Sequence, residues 1–314
     1  THSGTLFPYT TLFRSGQGPV RPVSVSQGRR KPKRSGGVWR VVFIISLIVF
    51  VCAAGALAFI GYGYWHGQQN NKQLEQIGFN APDAAALQRM DLASFTVDWD
   101  ALRAINPDVV GWIYVPGTTV NFPIVHGTDD EHYLKTYFYG QTSWVSFGSI
   151  FLSAANAADF SDANNIVYGH HMNDGSMFSP FADFGDADTF NGHRTVYVFT
   201  PTANYQLTTF SIVHCAADDH LAQTAFASEQ ERQAYVQDKV DRSVVTVAGL
   251  PSAADMKHTF AFSTCDNLAS NGRWVLFAYE SGSTAAASSV VADDSNISPE
   301  DVAAVSEAAK ETAA

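Results

Sequence analysis

Three residues in this chain have the types that nucleophilic catalysis requires, and each closes or opens a similar stretch of sequence. Cys265 ends an alternating apolar run, FAFSTC, where a strand would leave a core and present its last side chain at a sheet edge. Arg273 opens the next run, GRWVLFAYE, so a short loop returns a fixed positive charge beside the thiol. His170 ends a third run, NNIVYGHH. The thiolate is the reactive form of cysteine, and a free thiol titrates near about 8.5, so a neighbouring cation raises the reactive fraction. The same cation can hold the oxyanion of a tetrahedral intermediate, while a histidine carries protons to and from an amine. A nucleophile, a proton carrier and an anion stabiliser are therefore all present.

Each of these residues also has a plainer reading. A thiol in a strand is commonly a small buried hydrophobe, an arginine in a loop is commonly solvated, and ten histidines make chance pairings easy. A papain-like hydrolase places its cysteine before its histidine and starts a helix there, whereas here His170 precedes Cys265 and Cys265 ends a strand. The adjacent pair His170-His171 lacks metal-ligand spacing with a third ligand, and the acids lack the spacing of a Ca²⁺ loop, so neither a metal nor another cofactor is expected. Cys215, next to His214, is a second thiol to consider. Its setting within YQLTTFSIVHC reads as a core or structural position.

The elements that must position these residues read as mainly β. From Val109 to Glu280 the chain alternates short runs (VVGWIYV, FPIV, SIFL, NIVYG, TVYVFT, YQLTTFSIVHC, TVAG, HTFAFSTC, RWVLFAYE) with Gly, Pro, Asn and Asp clusters, the pattern of a mostly antiparallel barrel or sandwich. Within it, Ser228 to Arg242 has a capping serine, early glutamates and Tyr235, Val236 and Val240 at helical spacing. Upstream, Gln68 to Ala104 reads as polar and mostly helical, broken at Gly78 and Pro82, and Pro107 stops the lead-in VDWDALRAINPD. The Ala, Ser and acid-rich stretch 281–314 has too few large apolar residues to bury a core and is expected to be disordered.

Charge and hydropathy are distributed unevenly. The net charge of -11 hides eight basic residues and no acid within the first 65 residues, so the remainder carries 11 basic against 30 acidic side chains. An acidic folded part disfavours nucleic acid as a partner, since phosphate contacts need a basic surface. Val41 to Ile60 is a 20-residue apolar run, about 30 Å long as a helix, enough to cross a bilayer and longer than the apolar region of a signal peptide. Arg29, Arg30, Lys31, Lys33 and Arg34 precede it, while only Lys72 follows closely, so the positive-inside rule puts the N-terminus in the cytoplasm and the rest outside. Residues 5–15, TLFPYTTLFRS, resemble a translated sequencing adapter, so 1–15 are set aside as an artefact.

Further strings carry a family resemblance. YGHHMNDGSMF (168–178) and FSTCDN followed by Arg273 resemble the signature of class B sortases, and NPDVVGWIYVPGTTVNFPIVHG (106–127) and GSIFL (148–152) are similar to that family's early strands. The resemblance runs from Val97 through Glu280. It implies an eight-stranded sortase-type β-barrel with a few helices, here preceded by one transmembrane helix. It assigns catalysis to His170, Cys265 and Arg273, and substrate contact to Asn121, Ser263 and Thr264. Phe262 departs from the family's usual leucine. Because neighbours on a strand face opposite ways, His171 is expected to point away from the site.

The resulting organisation is a basic cytoplasmic segment at 16–37, an anchor at 38–63, a helical stalk at 64–96, a catalytic domain at 97–280 and a tail at 281–314. The resemblance implies a cell-surface cysteine transpeptidase that cleaves a sorting signal of secreted proteins through a thioester. The acyl group then passes to an amine of cell-wall precursor or pilin. The competing reading is a membrane-anchored surface adhesion module without catalysis, which leaves the His, Thr-Cys and Arg arrangement as an accident.

Overall fold

A computed structural model describes residues 36–80, 92, 95–145, 147–217, 219, 223–268 and 271–285. The chain divides into two compact units, Thr1–Ala53 and Ala54–Ala314. Helix α1 (Gly36–Gly78) begins in the first and ends in the second, and it is long and apolar enough to cross a membrane. The adapter-like residues 1–15, the basic segment before residue 36, most of the 81–94 stretch and the tail from 286 lie outside the described residues.

In the second unit a two-stranded ribbon, β1 (Phe79–Asn80) with β2 (Thr96–Val97), leads into α2 (Trp99–Ile105). The Asp98 carboxylate caps α2 by accepting from the Ala101 amide at 2.9 Å. Then follow β3 (Val109–Tyr114), β4 (Asn121–His126), α3 (His132–Lys135), β5 (Ile150–Leu152), β6 (Asn164–Tyr168), α4 (Pro180–Asp183) and α5 (Ala187–Gly192). The chain finishes with β7 (Thr195–Phe199), β8 (Ala203–Ala216), α6 (Glu229–Asp241), β9 (Thr259–Cys265) and β10 (Gly272–Ala285). Strands β3 to β10 close an eight-stranded barrel in the order β10-β8-β7-β3-β4-β5-β6-β9.

Alternation divides the barrel's side chains between two faces. Ile113, Ile124, Leu152, Val167, Val198, Leu207, Phe260, Phe262 and Leu276 fill the interior. On the outside, Ile166, Phe210, Val213, Ala261, Val275 and Phe277 form a second apolar layer covered by Tyr235 and Val236 of α6. That helix starts where its serine indicates, with the Ser228 hydroxyl accepting from the Glu231 amide.

Two expectations need correction. TVAG (246–249) forms turn and coil rather than strand. Ser281 to Ala285, expected to open the disordered tail, extend β10, with Gly282 to Ala285 paired to Gln206 to Ala203 of β8 after a bulge at Ser281. Backbone pairing to a strand already in place does not require the large apolar side chains whose scarcity suggested disorder.

Pairing directions decide which strand ends meet. β6 and β9 run parallel, so both finish at the same mouth of the barrel. β8 also finishes there, and β10, antiparallel to both β8 and β9, begins there.

Candidate active site

Cys265 is the last residue of β9 and lies on the outer face, in line with Ser263 and Ala261. Arg273 is its direct partner across the β9–β10 ladder, and Cys215 is the direct partner of Arg273 across the β10–β8 ladder. Residues opposed in this way share a face, with Cβ atoms about 4.5–5.5 Å apart. The arginine thus stands in one row between two thiols, both partly exposed.

Burial pushes the Cys215 thiol up to about 11, Asp219 adds to the rise, and Arg242, Arg273 and Lys239 only partly offset it. Its Sγ lies 3.8 Å from the Arg273 carbonyl oxygen and borders the apolar layer under α6. A thiol held neutral in this way is a poor nucleophile at physiological pH.

His170 reaches the same mouth through β6. Tyr168 pairs with Ser263, and the Gly169 amide donates to the Ser263 carbonyl at 3.1 Å, so His170 follows directly on the end of β6 at the mouth where β9 finishes. Its Nε2 is 2.7 Å from the Leu134 carbonyl of α3. A carbonyl only accepts, so Nε2 carries the proton and Nδ1 is left as the basic nitrogen. Burial holds the imidazole below its ordinary pKa, and the Leu134 carbonyl partly restores it.

His171 has a different task from the one alternation suggested. Its Nδ1 donates to the Cys265 carbonyl at 2.9 Å, and the Asn267 side chain donates to the His171 carbonyl at 2.8 Å. The second histidine therefore clamps the end of β9. Strand alternation no longer applies because β6 ends at Tyr168.

The turn joining Cys265 to Arg273 is held by its own polar groups. The Asp266 amide donates to the Gly272 carbonyl at 3.1 Å, and Asp266 Oδ1 accepts from the Leu268 amide at 2.9 Å. Asn267 and Asn271 have φ of 55° and 51°, the left-handed region that asparagine tolerates better than most residues. The Arg273 guanidinium donates to the Asn271 carbonyl and side chain and to the Gly272 carbonyl at 2.9–3.2 Å. It also influences Tyr168 on β6: burial and then Asp130 raise the phenol's pKa, and Ser153 and Arg273 lower it.

The expected substrate-contacting residues are dispersed. Ser263 shares the Cys265 face, whereas Thr264 faces the other way, opposite Trp274, with its hydroxyl buried and unpaired. Asn121, on β4, accepts from Trp112 Nε1 at 2.7 Å and donates to Glu75 of α1 at 2.8 Å. A cavity of about 510 Å³ lined by Tyr205, Lys257, His258 and Glu280 lies at the other end of β9 from Cys265. Among the described residues no cluster of His, Cys, Asp and Glu has the arrangement of a metal site.

No protein-family profile matches the chain. It is 29% identical over 218 residues to sortase B of Listeria monocytogenes, covering 68% of this chain and 86% of that protein. It is also 29% identical over 169 residues to sortase B of Staphylococcus aureus, covering 54% and 68%. Among solved structures, Clostridium perfringens sortase B superposes with a TM-score of 0.55 at 29% identity, over 58% of this chain and 99% of that one. A sortase B complexed with triglycine superposes with a TM-score of 0.54 at 27% identity, over 60% and 86%.

Proposed function

Likeness in sequence and in fold makes this chain a class B sortase, and from that premise we propose that it cleaves a C-terminal sorting signal of secreted proteins and transfers the new acyl end to an amine. The carrying observation is the direct cross-strand pairing of Cys265 with Arg273 at the mouth where β6 delivers His170. Cys265 is the nucleophile, His170 the proton carrier and Arg273 the oxyanion partner.

In this reading the Cys265 thiolate attacks the scissile carbonyl and the oxyanion develops against the Arg273 guanidinium. Imidazolium His170 gives its proton to the departing amine, leaving a thioester on Cys265 and a neutral imidazole. The incoming amine loses a proton to that imidazole as it attacks, and the second tetrahedral intermediate collapses to an amide and free thiolate. Burial of His170 disfavours its cationic form, so the population carrying both thiolate and imidazolium is small and limits the rate. The acceptor is the amine of a cell-wall precursor or pilin. The sortase B solved with triglycine supports a peptide acceptor.

The apolar part of α1 anchors the enzyme in the cell membrane as a single pass, with the basic residues 29–34 in the cytoplasm and the barrel outside. Asn121, Ser263 and Thr264 are retained as the proposed substrate contacts.

The test incubates the full chain with a pool of fluorescent sorting-signal peptides and triglycine, and compares it with the Cys265→Ala, His170→Ala and Cys215→Ala variants. Cleavage with a thioester adduct on Cys265, abolished in the first two variants and kept in the third, is the expected result. Inactivity across a broad pool with no adduct by mass spectrometry would overturn the assignment.

A further inference from the structure

The described length of α1 has no charged residue between Arg40 and Lys72. That is 31 residues, against the roughly 20 that a bilayer core requires. The surplus after Ile60 is not aliphatic: it reads GYGYWHG, rich in the amphipathic rings that settle at the boundary between acyl chains and headgroups. Tyr62 and Trp65 are 49% and 55% exposed, and their rings lie 5.8 Å apart.

The barrel adds a ring to the same patch. Trp144, in the loop between α3 and β5, is 74% exposed, the most exposed of the described large apolar side chains in that unit, and its ring centroid lies 4.7 Å from that of Phe59. The next contacts climb the helix at four-residue intervals. Val145 covers Gly63 and Phe147 covers Gly67, so closely that an added Cβ would meet them at 2.8 Å and 2.7 Å. Gln68 then donates to Asp174 at 2.8 Å. The loop therefore meets α1 from Phe59, within the apolar run, to Gly67, a rise of only about 12 Å.

We propose that Phe59, Tyr62, Trp65 and Trp144 form one aromatic patch that lies in the headgroup boundary of a phospholipid bilayer, and that it holds the barrel directly against the membrane through the Trp144 loop. The proposal rests on the anchored reading of α1. The occupant is lipid because the patch is continuous with the apolar run of the same helix: Leu57 and Ile60 are exposed beside it. The arrangement also bears on the site, since α3, which begins the connection carrying Trp144, supplies the Leu134 carbonyl that holds His170.

The experiment places one environment-sensitive fluorophore on the full chain, in a Cys52→Ala, Cys215→Ala, Cys265→Ala background, using Trp144→Cys, Phe50→Cys or Ser161→Cys. Ser161 is exposed and precedes β6, at the far end of that strand from Tyr168. Each chain is reconstituted in phosphatidylcholine–phosphatidylglycerol nanodiscs with and without lipid carrying a shallow spin label. Exposure of the Trp144 ring keeps that substitution from disturbing the fold, and thermal melting of the three labelled chains checks it. The expected result is at least about twofold stronger quenching at 144 than at 161, together with quenching at 50 by a deep spin label. Quenching at 50 with equal signals at 144 and 161 would overturn the docking while leaving the anchor intact. A blue-shifted, unquenched label at 144 would assign the patch to a second copy of the chain instead. Absence of quenching at 50 would reject the anchor and the docking with it.

Discussion

Asp266 Oδ2 accepts from His214 Nε2 at 2.9 Å, so the acid that follows Cys265 in sequence is tied to β8, on the side of the ladder away from the thiol. His214 and Trp274 are direct partners across β8 and β10, and their rings stack at 4.4 Å. This hydrogen bond links the turn between Cys265 and Arg273 to a third strand. The Asp266 side chain is fully buried and that of His214 only partly, so the loss on breaking the pair is moderate.

Asp266→Asn should lower the unfolding free energy by about 1–2 kcal/mol in urea titrations. Gly272→Ala should act on the same turn, because a Cβ there would collide with Asp266 Oδ2 and meet the Cys215 carbonyl at 2.9 Å. A reduced melting temperature in both variants is expected; unchanged melting in both would remove the turn's structural role.

The two thiols of the barrel should alkylate at very different rates. With Cys215 pushed up to about 11, iodoacetamide at pH 8 should label Cys265 at least about tenfold faster, read by peptide mass spectrometry, and Cys215→Ala should keep peptide cleavage. Faster labelling at Cys215 would reverse the assignment of nucleophile.

His170 should make the fold acid-sensitive in a defined window. Its folded pKa is lowered by burial, so above the unfolded value of about 6.5 neither state binds the proton and the group contributes nothing. As pH falls below that value the unfolded chain takes up a proton that the fold resists, and stability declines until the folded pKa is reached. Denaturant melts from pH 8 to pH 5 should therefore show a steeper loss for the wild type than for His170→Gln. Parallel curves would contradict the buried neutral imidazole.

Asn121 separates two roles by experiment. If its amide serves chiefly to join Trp112 to Glu75, Asn121→Ala and Glu75→Gln should both loosen α1 and lower stability by about 1 kcal/mol, with KM for the peptide unchanged. A raised KM in Asn121→Ala alone would support direct substrate contact.

Much of this arrangement was legible in the residues. Alternation in FAFSTC distinguishes the face of Cys265 from that of Phe262, Ser228 marks the start of α6, and hydropathy alone marks the apolar run of α1. These are local properties, set by the period of a strand, the orphan amides of a helix start and the length of an apolar segment. Register is not local. That Arg273 opposes both Cys265 and Cys215, that β6 lies parallel to β9, and that His171 reaches the Cys265 carbonyl depend on contacts between segments up to about 95 residues apart. A shift of one residue would send each side chain to the opposite face, and only the closed barrel excludes it. The contact of α1 with the barrel's loop is non-local in the same way: only the fold shows Val145 and Phe147 filling the space that side chains at Gly63 and Gly67 would take.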